Sequence, residues 1–236
     1  MPGSDRKVDS APDIVRFKIC GIVSKEDALL AVASGADALG FLVGLDYPSD
    51  DEIAEEAAAE IIAVVPPFVS TVLVTHRVDT AWIVAAARTL GCSTIQLHGS
   101  FPIERIPDVR AALPYVKISR VAHVEDEGSL SVAASIGDWA DAVHLDTRTA
   151  TRLGGTGLVH DWRLSARIVR QSKVPVILAG GLTPQNVKQA IEVVRPYAVD
   201  VNSGVDLDGG PGKSAEKLRA FADAVRRAQS ELSPIG

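Results

Sequence analysis

Pairs of polar residues, spaced two apart, close several predicted β-strands of this chain. Side chains alternate along a strand, so both members of a pair face the same side. Burying such groups costs several kcal/mol unless they are partnered, so repeated pairs at equivalent strand ends predict a functional site. Thiol, carboxyl and imidazole groups are the types that serve as catalytic bases and acids. The pairs are Lys18 and Cys20, Gln96 and His98, Lys117 and Ser119, His144 and Asp146, and Asp200 and Asn202.

Glycine-rich segments follow the last two predicted strands. One contains Gly180 and Gly181, and the other contains Asn202, Ser203 and Gly204. Glycine permits close approach of the backbone and leaves N–H groups accessible, which favours a phosphate site at these loops. A third glycine-rich segment, residues 154–157, includes Gly155 and is either a flexible cover or a further anion contact.

The elements that must position these residues alternate regularly between short apolar runs and Ala-rich amphipathic segments. The predicted strands are 14–20, 38–43, 69–75, 94–98, 115–119, 142–146, 175–179 and 199–202. The predicted helices are 25–34, 52–64, 80–90, 103–113, 128–136, 161–171, 184–194 and 215–229. Strands that are apolar at nearly every position indicate a parallel sheet covered by helices.

The length of 236 residues, with 47% hydrophobic and 23% charged, suits one globular domain. Eight βα units in fewer than about 250 residues predict an α/β fold of the single (β/α)8 TIM-barrel type. A doubly wound open sheet is the competing arrangement. We expect a flexible N-terminal tail over residues 1–12 and the barrel over 13–230.

Composition and spacing argue against several classes of protein. A net charge of −6 disfavours nucleic-acid binding, and no apolar run reaches the roughly 20 residues that span a bilayer. The start of the chain lacks the apolar stretch of a secretory signal, so we expect a cytoplasmic protein. Cys20 and Cys92 form no disulfide framework, and Cys92 has no reactive neighbours. His76, His123 and His160 lie in predicted loops without ligand spacing, so we expect no metal site.

Taken in order, these segments resemble the phosphoribosylanthranilate isomerase family of tryptophan biosynthesis. The resemblance covers the chain from about Val15 to Phe221. It is carried by Lys-Ile-Cys-Gly at 18–21, Gln-Leu-His-Gly at 96–99, Leu-Asp at 145–146, Gly-Gly-Thr-Gly at 154–157, and the segments 178–187 and 199–205. The combination is specific, whereas each motif alone is not.

The resemblance implies an Amadori rearrangement of a phosphosugar substrate without metal or organic cofactor. It implies Cys20 as general base and Asp146 as general acid. We expect burial to raise the pKa of Asp146 and Lys18 to lower the pKa of Cys20. Barrel closure places strand eight beside strand one, so we expect a buried Lys18–Asp200 contact beneath the cysteine. The monomeric or homodimeric state is left open.

Two histidines belong to the polar pairs that end predicted strands. His98 is expected to line the site in a supporting or packing role. His144 occupies a position that is usually apolar in the family. It either tunes Asp146 or is a satisfied core histidine.

The loop after the second strand departs from the family pattern. The family usually has Ser-Pro-Arg there, and its arginine holds the anthranilate carboxylate, whereas residues 36–75 contain no Lys or Arg. The candidates to replace it are Arg77, Arg120, Arg148 and Arg152. The alternatives are an isomerase acting on another phosphorylated aminosugar that lacks the carboxylate, or a non-catalytic phosphosugar-binding barrel.

Overall fold

The computed structural model describes residues 14–149, 152–153 and 161–232. The predicted tail over 1–12, Gly155 and His160 lie outside the described residues.

Eight parallel strands close into a barrel around a single axis. Each strand pairs with the next in the chain, and the eighth pairs with the first. This closure confirms the (β/α)8 TIM barrel and excludes the open sheet. The strands are β1 (Arg16–Ile19), β2 (Ala38–Leu42), β3 (Ser70–Thr75), β4 (Thr94–Leu97), β5 (Lys117–His123), β6 (Ala142–Asp146), β7 (Val176–Leu178) and β8 (Ala198–Val201).

Helices follow the strands and form the outer layer. They are α1 (Lys25–Ser34), α2 (Glu55–Ile62), α3 (Thr80–Leu90), α4 (Ile106–Ala112), α5 (Gly128–Gly137), α6 (Trp162–Gln171), α7 (Val187–Val194) and α8 (Ala215–Leu232). Short 3-10 turns cover Ile103–Arg105 and Ser203–Val205, and a small antiparallel hairpin joins Arg148–Thr149 to Arg152–Leu153. Among the described residues, none of these helices has the length and apolar character needed to cross a bilayer.

The start of α2 differs from the prediction by three residues. Glu52 forms a parallel bridge with Leu42, and its side chain accepts a hydrogen bond from the backbone N–H of Leu45 at 2.9 Å. Glu52 therefore pairs beside the end of β2 and is not the first residue of the helix. Acidic residues suit a helix N-terminus, but the backbone pairing of Glu52 with the preceding strand delays the helix to Glu55.

Strand β5 begins two residues later than predicted and continues four residues further. Lys117 is its first residue; it is exposed and lies 3.6 Å from Asp141, so the predicted Lys117–Ser119 pair at the functional end is wrong. Ser119 is buried midway, and His123 ends the strand opposite Asp146. The strand was predicted to end at Ser119 because Arg120 interrupts the run of apolar residues. Its guanidinium instead donates to backbone carbonyls, which allows the strand to continue.

Because side chains alternate along each strand, one set packs outward against the helices and the other set points into the barrel. Outward-facing residues such as Ile19, Leu39 and Leu145 are fully buried against the helices and form the main core. The barrel interior holds a smaller apolar cluster that includes Cys20, Leu42, Val72 and Val74. The buried polar residues Lys18, His144 and Asp200 line the same interior, so the site's chemistry is concentrated inside the barrel.

Candidate active site

A buried ion pair lies where the barrel closes. The Lys18 ammonium is 2.8 Å from Oδ2 of Asp200, and the two residues are register partners on β1 and β8. This confirms the predicted Lys18–Asp200 contact. Burial acts to raise the pKa of Asp200, but Lys18 and His144 bring it down to about 2. Burial acts to lower the pKa of Lys18, but Asp200 and Cys20 together raise it.

Cys20 lies beside Lys18 on the same face of β1. Lys18 and Cys20 are within hydrogen-bonding reach of one another. A Cβ placed on Gly40 would lie 2.7 Å from the Cys20 sulfur and 2.9 Å from the Lys18 nitrogen, so a glycine is needed there. Burial raises the pKa of the Cys20 thiol, and the nearby Lys18 opposes this without overcoming it. The expectation that Lys18 would lower the thiol's pKa overall is therefore wrong, although the cation is in the expected place.

Asp146 ends β6 and is buried against His98. The distance from Nε2 of His98 to Oδ2 of Asp146 is 3.4 Å, and Oδ1 accepts from the backbone N–H of Thr147 at 2.7 Å. Burial favours a raised pKa for Asp146, but these partners and His144 lower it below its ordinary value. The expected upward shift is wrong because hydrogen bonds and the electrostatic interactions with His98 and His144 stabilise the carboxylate more than burial destabilises it.

The backbone fixes the proton position on His98. Its Nδ1 accepts a hydrogen bond from the Gly99 backbone N–H at 3.0 Å. In a neutral ring the proton must therefore be on Nε2, which faces Asp146. Burial lowers the pKa of His98, so the neutral, donating form is favoured. His98 thus supports Asp146 as a neutral hydrogen-bond donor.

Three histidine rings are packed together beside Asp146. The rings of His76 and His98 stack with centroids 4.7 Å apart, and His123 meets His98 edge-on at 5.6 Å. His76 is also bonded to Asp46 in the loop after β2. His76 does lie in a loop, directly after β3, but His123 ends β5, so the prediction that His123 lies in a loop is wrong. The barrel gathers strand ends that the sequence separates by more than twenty residues, and a polar residue ending each strand was the available signal.

His144 faces the barrel interior two residues before Asp146. It is buried, and its Nε2 lies 2.9 Å from Oδ2 of Asp200. This is an ion-pair distance without the alignment of a hydrogen bond. It acts to lower the pKa of both Asp146 and Asp200. The residue therefore faces two carboxylates, of which Asp200 is the one in contact.

The predicted phosphate loops are adjacent. A Cβ on Gly204 would lie 2.0 Å from the Leu182 carbonyl oxygen, so the loop after β8 packs directly on the loop after β7. Gly180 has a φ of +88°, and a Cβ there would lie 2.2 Å from the Thr147 hydroxyl. Gly181 also has positive φ, and Ser203 is exposed. The glycines thus allow three strand ends to meet at one edge of the mouth.

Asn202 is held by a polar network that the sequence did not reveal. Its amide nitrogen donates to Asp51 at 2.9 Å, and its amide oxygen accepts from Lys213 at 2.8 Å. Lys213 is also paired with Asp206, and its side chain is fully buried. Gly21 touches the Asn202 side chain. The network connects the loops after β1, β2 and β8, so the Asn202 side chain links three loops at the edge where the phosphate site is predicted.

The arginine candidates separate clearly. Arg120 donates to the carbonyls of Leu97, Val121 and Gly99, so its guanidinium is committed to the backbone. Arg77 is exposed at the end of β3 and lies over the Trp82 ring at 5.4 Å. The side chains of Arg148 and Arg152 lie outside the described residues.

Cys92 is buried in the outer core, away from the site. Its sulfur lies 3.9 Å from the Ala87 carbonyl oxygen, and burial raises its pKa to about 11. A neutral buried thiol is the form expected for an inert cysteine.

Residues 17–224 match the family model described as N-(5'phosphoribosyl)anthranilate (PRA) isomerase. The chain belongs to the N-(5'-phosphoribosyl)anthranilate isomerase family. It is 41% identical over 213 residues to the N-(5'-phosphoribosyl)anthranilate isomerase of Methanocella arvoryzae, covering 90% of this chain and 99% of that protein. The Geobacter metallireducens enzyme of the same name is 42% identical over 219 residues, covering 92% and 100%.

Solved structures of phosphoribosyl anthranilate isomerases share the fold. The Thermotoga maritima structure superposes with a TM-score of 0.79 at 34% identity, covering 91% of this chain and all of that one. A further phosphoribosyl anthranilate isomerase structure is a complex with reduced 1-(o-carboxyphenylamino)-1-deoxyribulose 5-phosphate, with a TM-score of 0.76, 33% identity and coverage of 91% and 100%. The isomerase family match therefore extends over the barrel and all of its described strand ends.

Proposed function

We propose that this protein catalyses the Amadori rearrangement of N-(5'-phosphoribosyl)anthranilate to 1-(2-carboxyphenylamino)-1-deoxyribulose 5-phosphate. The carrying observation is that Cys20 on β1 and Asp146 on β6 both face the barrel interior, each buried against charged or hydrogen-bonding partners. A phosphosugar-binding module has no need of such an acid–base couple. Membership of the isomerase family supports the same reaction.

In the proposed mechanism, Asp146 and Cys20 act in sequence. Asp146 donates a proton to the ribose ring oxygen as the bond between that oxygen and C1' breaks, which gives a Schiff base. Cys20 then removes the proton from C2', and the electron pair moves to form an enolamine. Tautomerisation of the enolamine gives the ketone. Lys18 stabilises the thiolate that must form on Cys20.

The free protein favours the opposite protonation state. The raised pKa of Cys20 keeps the proton on sulfur, and the lowered pKa of Asp146 leaves the carboxyl ionised. The form with protonated Asp146 and ionised Cys20 is therefore a minor one. Its population depends on how closely the two pKa values approach each other, so the groups that shift them control the rate.

Substrate binding is assigned to two edges of the mouth. Gly180, Gly181, Asn202, Ser203 and Gly204 form the proposed phosphate side, because their two loops pack together and connect directly to the acid and base strands. Arg77 is the proposed partner of the anthranilate carboxylate, since it is exposed beside the loop after β2.

The cellular setting is part of the same proposal. We place the protein in the cytoplasm as a monomer or homodimer. The biosynthetic family supports this location. The T. maritima relative is described as a dimeric enzyme that also gives monomers, which supports considering both states.

A fluorescence assay with the anthranilate substrate tests the function. Wild type should turn over, while Cys20→Ser and Asp146→Asn should each lose activity by about 100-fold or more, the order expected for an acid or base. Complementation of a tryptophan auxotroph that lacks this isomerase provides an independent test. No turnover by folded wild type would overturn the proposal.

Two other outcomes identify the alternatives. Activity only on an analogue without the carboxylate would indicate another aminosugar isomerase. Phosphosugar binding without turnover, unchanged by either substitution, would indicate a non-catalytic barrel.

A further inference from the structure

His144 contacts the buried ion pair beneath the proposed catalytic base. Its Nε2 and the Lys18 ammonium approach the same oxygen of Asp200, at 2.9 and 2.8 Å. All three side chains are nearly inaccessible to solvent. The short contact with a carboxylate oxygen favours the tautomer that has the proton on Nε2, although the contact lacks the alignment of a hydrogen bond.

One oxygen of Asp200 therefore lies against two nitrogens, the hydrogen-bonded Lys18 ammonium and the His144 ring nitrogen. Among the described residues, the other oxygen, Oδ1, has no hydrogen-bond partner. Lys18 meanwhile faces both Asp200 and the Cys20 sulfur. When a second nitrogen stabilises the Asp200 carboxylate, the attraction between that carboxylate and the Lys18 ammonium is weaker. The Cys20 sulfur therefore competes better for Lys18 when His144 is present.

We propose that His144 is a positioning residue for the catalytic base: its contact with the Asp200 carboxylate leaves the Lys18 ammonium available to the Cys20 sulfur. The description of Cys20 as a base rests on the proposed function, whereas the electrostatic link does not. Asp200 acts to raise the pKa of Cys20 and Lys18 acts to lower it, in agreement with this arrangement.

Other charged groups also face this part of the interior. Asp146 on the same strand and His98 on β4 both interact electrostatically with His144. His123 is the register partner of Asp146 on β5. A change at His144 is therefore expected to affect Asp146 as well, and the measurement must report on the thiol itself.

The test measures alkylation of Cys20 by iodoacetamide as a function of pH, without substrate. All proteins carry Cys92→Ala, so that a single thiol reacts, and mass spectrometry identifies the modified residue. Because the thiolate is the reacting species, His144→Leu should lower the rate at neutral pH by about threefold or more and shift the profile upward. His144→Gln, which keeps an N–H near the Nε2 position, should restore most of the rate.

The outcomes separate cleanly. Slower alkylation with Leu and recovery with Gln supports the proposal. Equal rates in wild type and His144→Leu would overturn it, as would equal slowing by Leu and Gln, which indicates packing alone. If the Leu variant does not fold, His144→Gln and the shorter His144→Asn provide the comparison, and equal rates in these two would overturn it. Lack of isomerase activity in wild type would contradict the proposed function and leave the thiol result valid.

Discussion

The Lys18 ammonium and the Asp200 carboxylate meet at 2.8 Å on paired positions of β1 and β8. The two residues are separated by 182 positions in the chain. Their contact forms only when the last strand closes on the first. The electrostatic environment of Cys20 therefore depends on closure of the barrel.

Removing one member of this pair should be far more costly than removing both. Lys18→Met leaves the buried Asp200 carboxylate without its lysine partner and should destabilise the protein by about 3–5 kcal/mol. The double variant Lys18→Met with Asp200→Leu should recover much of that loss. Urea unfolding measures both. Lys173→Met, in an exposed pair with Asp138, is the matched control and should cost less than about 1 kcal/mol. A double variant no more stable than the single would contradict the prediction.

Acid should weaken the fold through Asp200. Its pKa falls from 3.8 to about 2 on folding, so its contribution is complete above pH 3.8 and is lost as the pH falls through 2. The shift corresponds to about 2 kcal/mol, and stability should decline over this range. Unfolding free energies between pH 5 and 2 should fall more steeply for wild type than for Asp200→Asn. Parallel curves would refute the assignment.

Gly40→Ala should damage the site without a matching loss of fold. The new methyl group would lie 2.7 Å from the Cys20 sulfur and must displace it or Lys18. Misplacement of a reacting group by about 1 Å can cost about 100-fold in rate, so kcat/KM should drop by that order. Gly210→Ala has no atom within 4 Å of its Cβ and serves as control. Equal activity of the two variants would count against the close contact.

His98→Leu should shift the acidic limb of the pH profile of kcat/KM upward. In the free protein that limb follows the lower pKa of the couple, which belongs to Asp146. Loss of the Nε2 donor leaves burial to raise that pKa. His98→Gln retains a donor and should stay closer to wild type. An acidic limb at the same pH in all three proteins would argue that His98 only packs.

Arg77→Ala should weaken binding of the anthranilate substrate. Loss of a charge-assisted bond of about 1.5–3 kcal/mol raises KM by about 10-fold or more. Inhibition by ribose 5-phosphate, which lacks the arene, should be unchanged. Arg88→Ala is the control, since Arg88 donates to the Ala112 carbonyl on the outer layer. An unchanged KM would show that Arg77 does not bind the anthranilate carboxylate.

The sequence was sufficient for predictions that depend on neighbouring positions in one strand. The two-residue period placed Lys18 beside Cys20, and the number of βα units predicted closure, which brought Asp200 to Lys18. The sequence was insufficient where loops that are far apart in the chain come together in the fold. Asp51 and Lys213 hold Asn202 from segments 151 and 11 residues away, and no local pattern encodes that distance.

The sequence alone determined the barrel and the side of each strand that carries polar groups, because alternation and repeat number are local properties. Its resemblance to the isomerase family implied the proposed acid and base. Only the tertiary structure decided that His76, His98 and His123 pack together and that His144 shares Asp200 with Lys18. It also decided the directions in which the pKa values of Cys20 and Asp146 move. Such shifts are small differences between desolvation and nearby charge, and both depend on distances that exist only in the closed barrel.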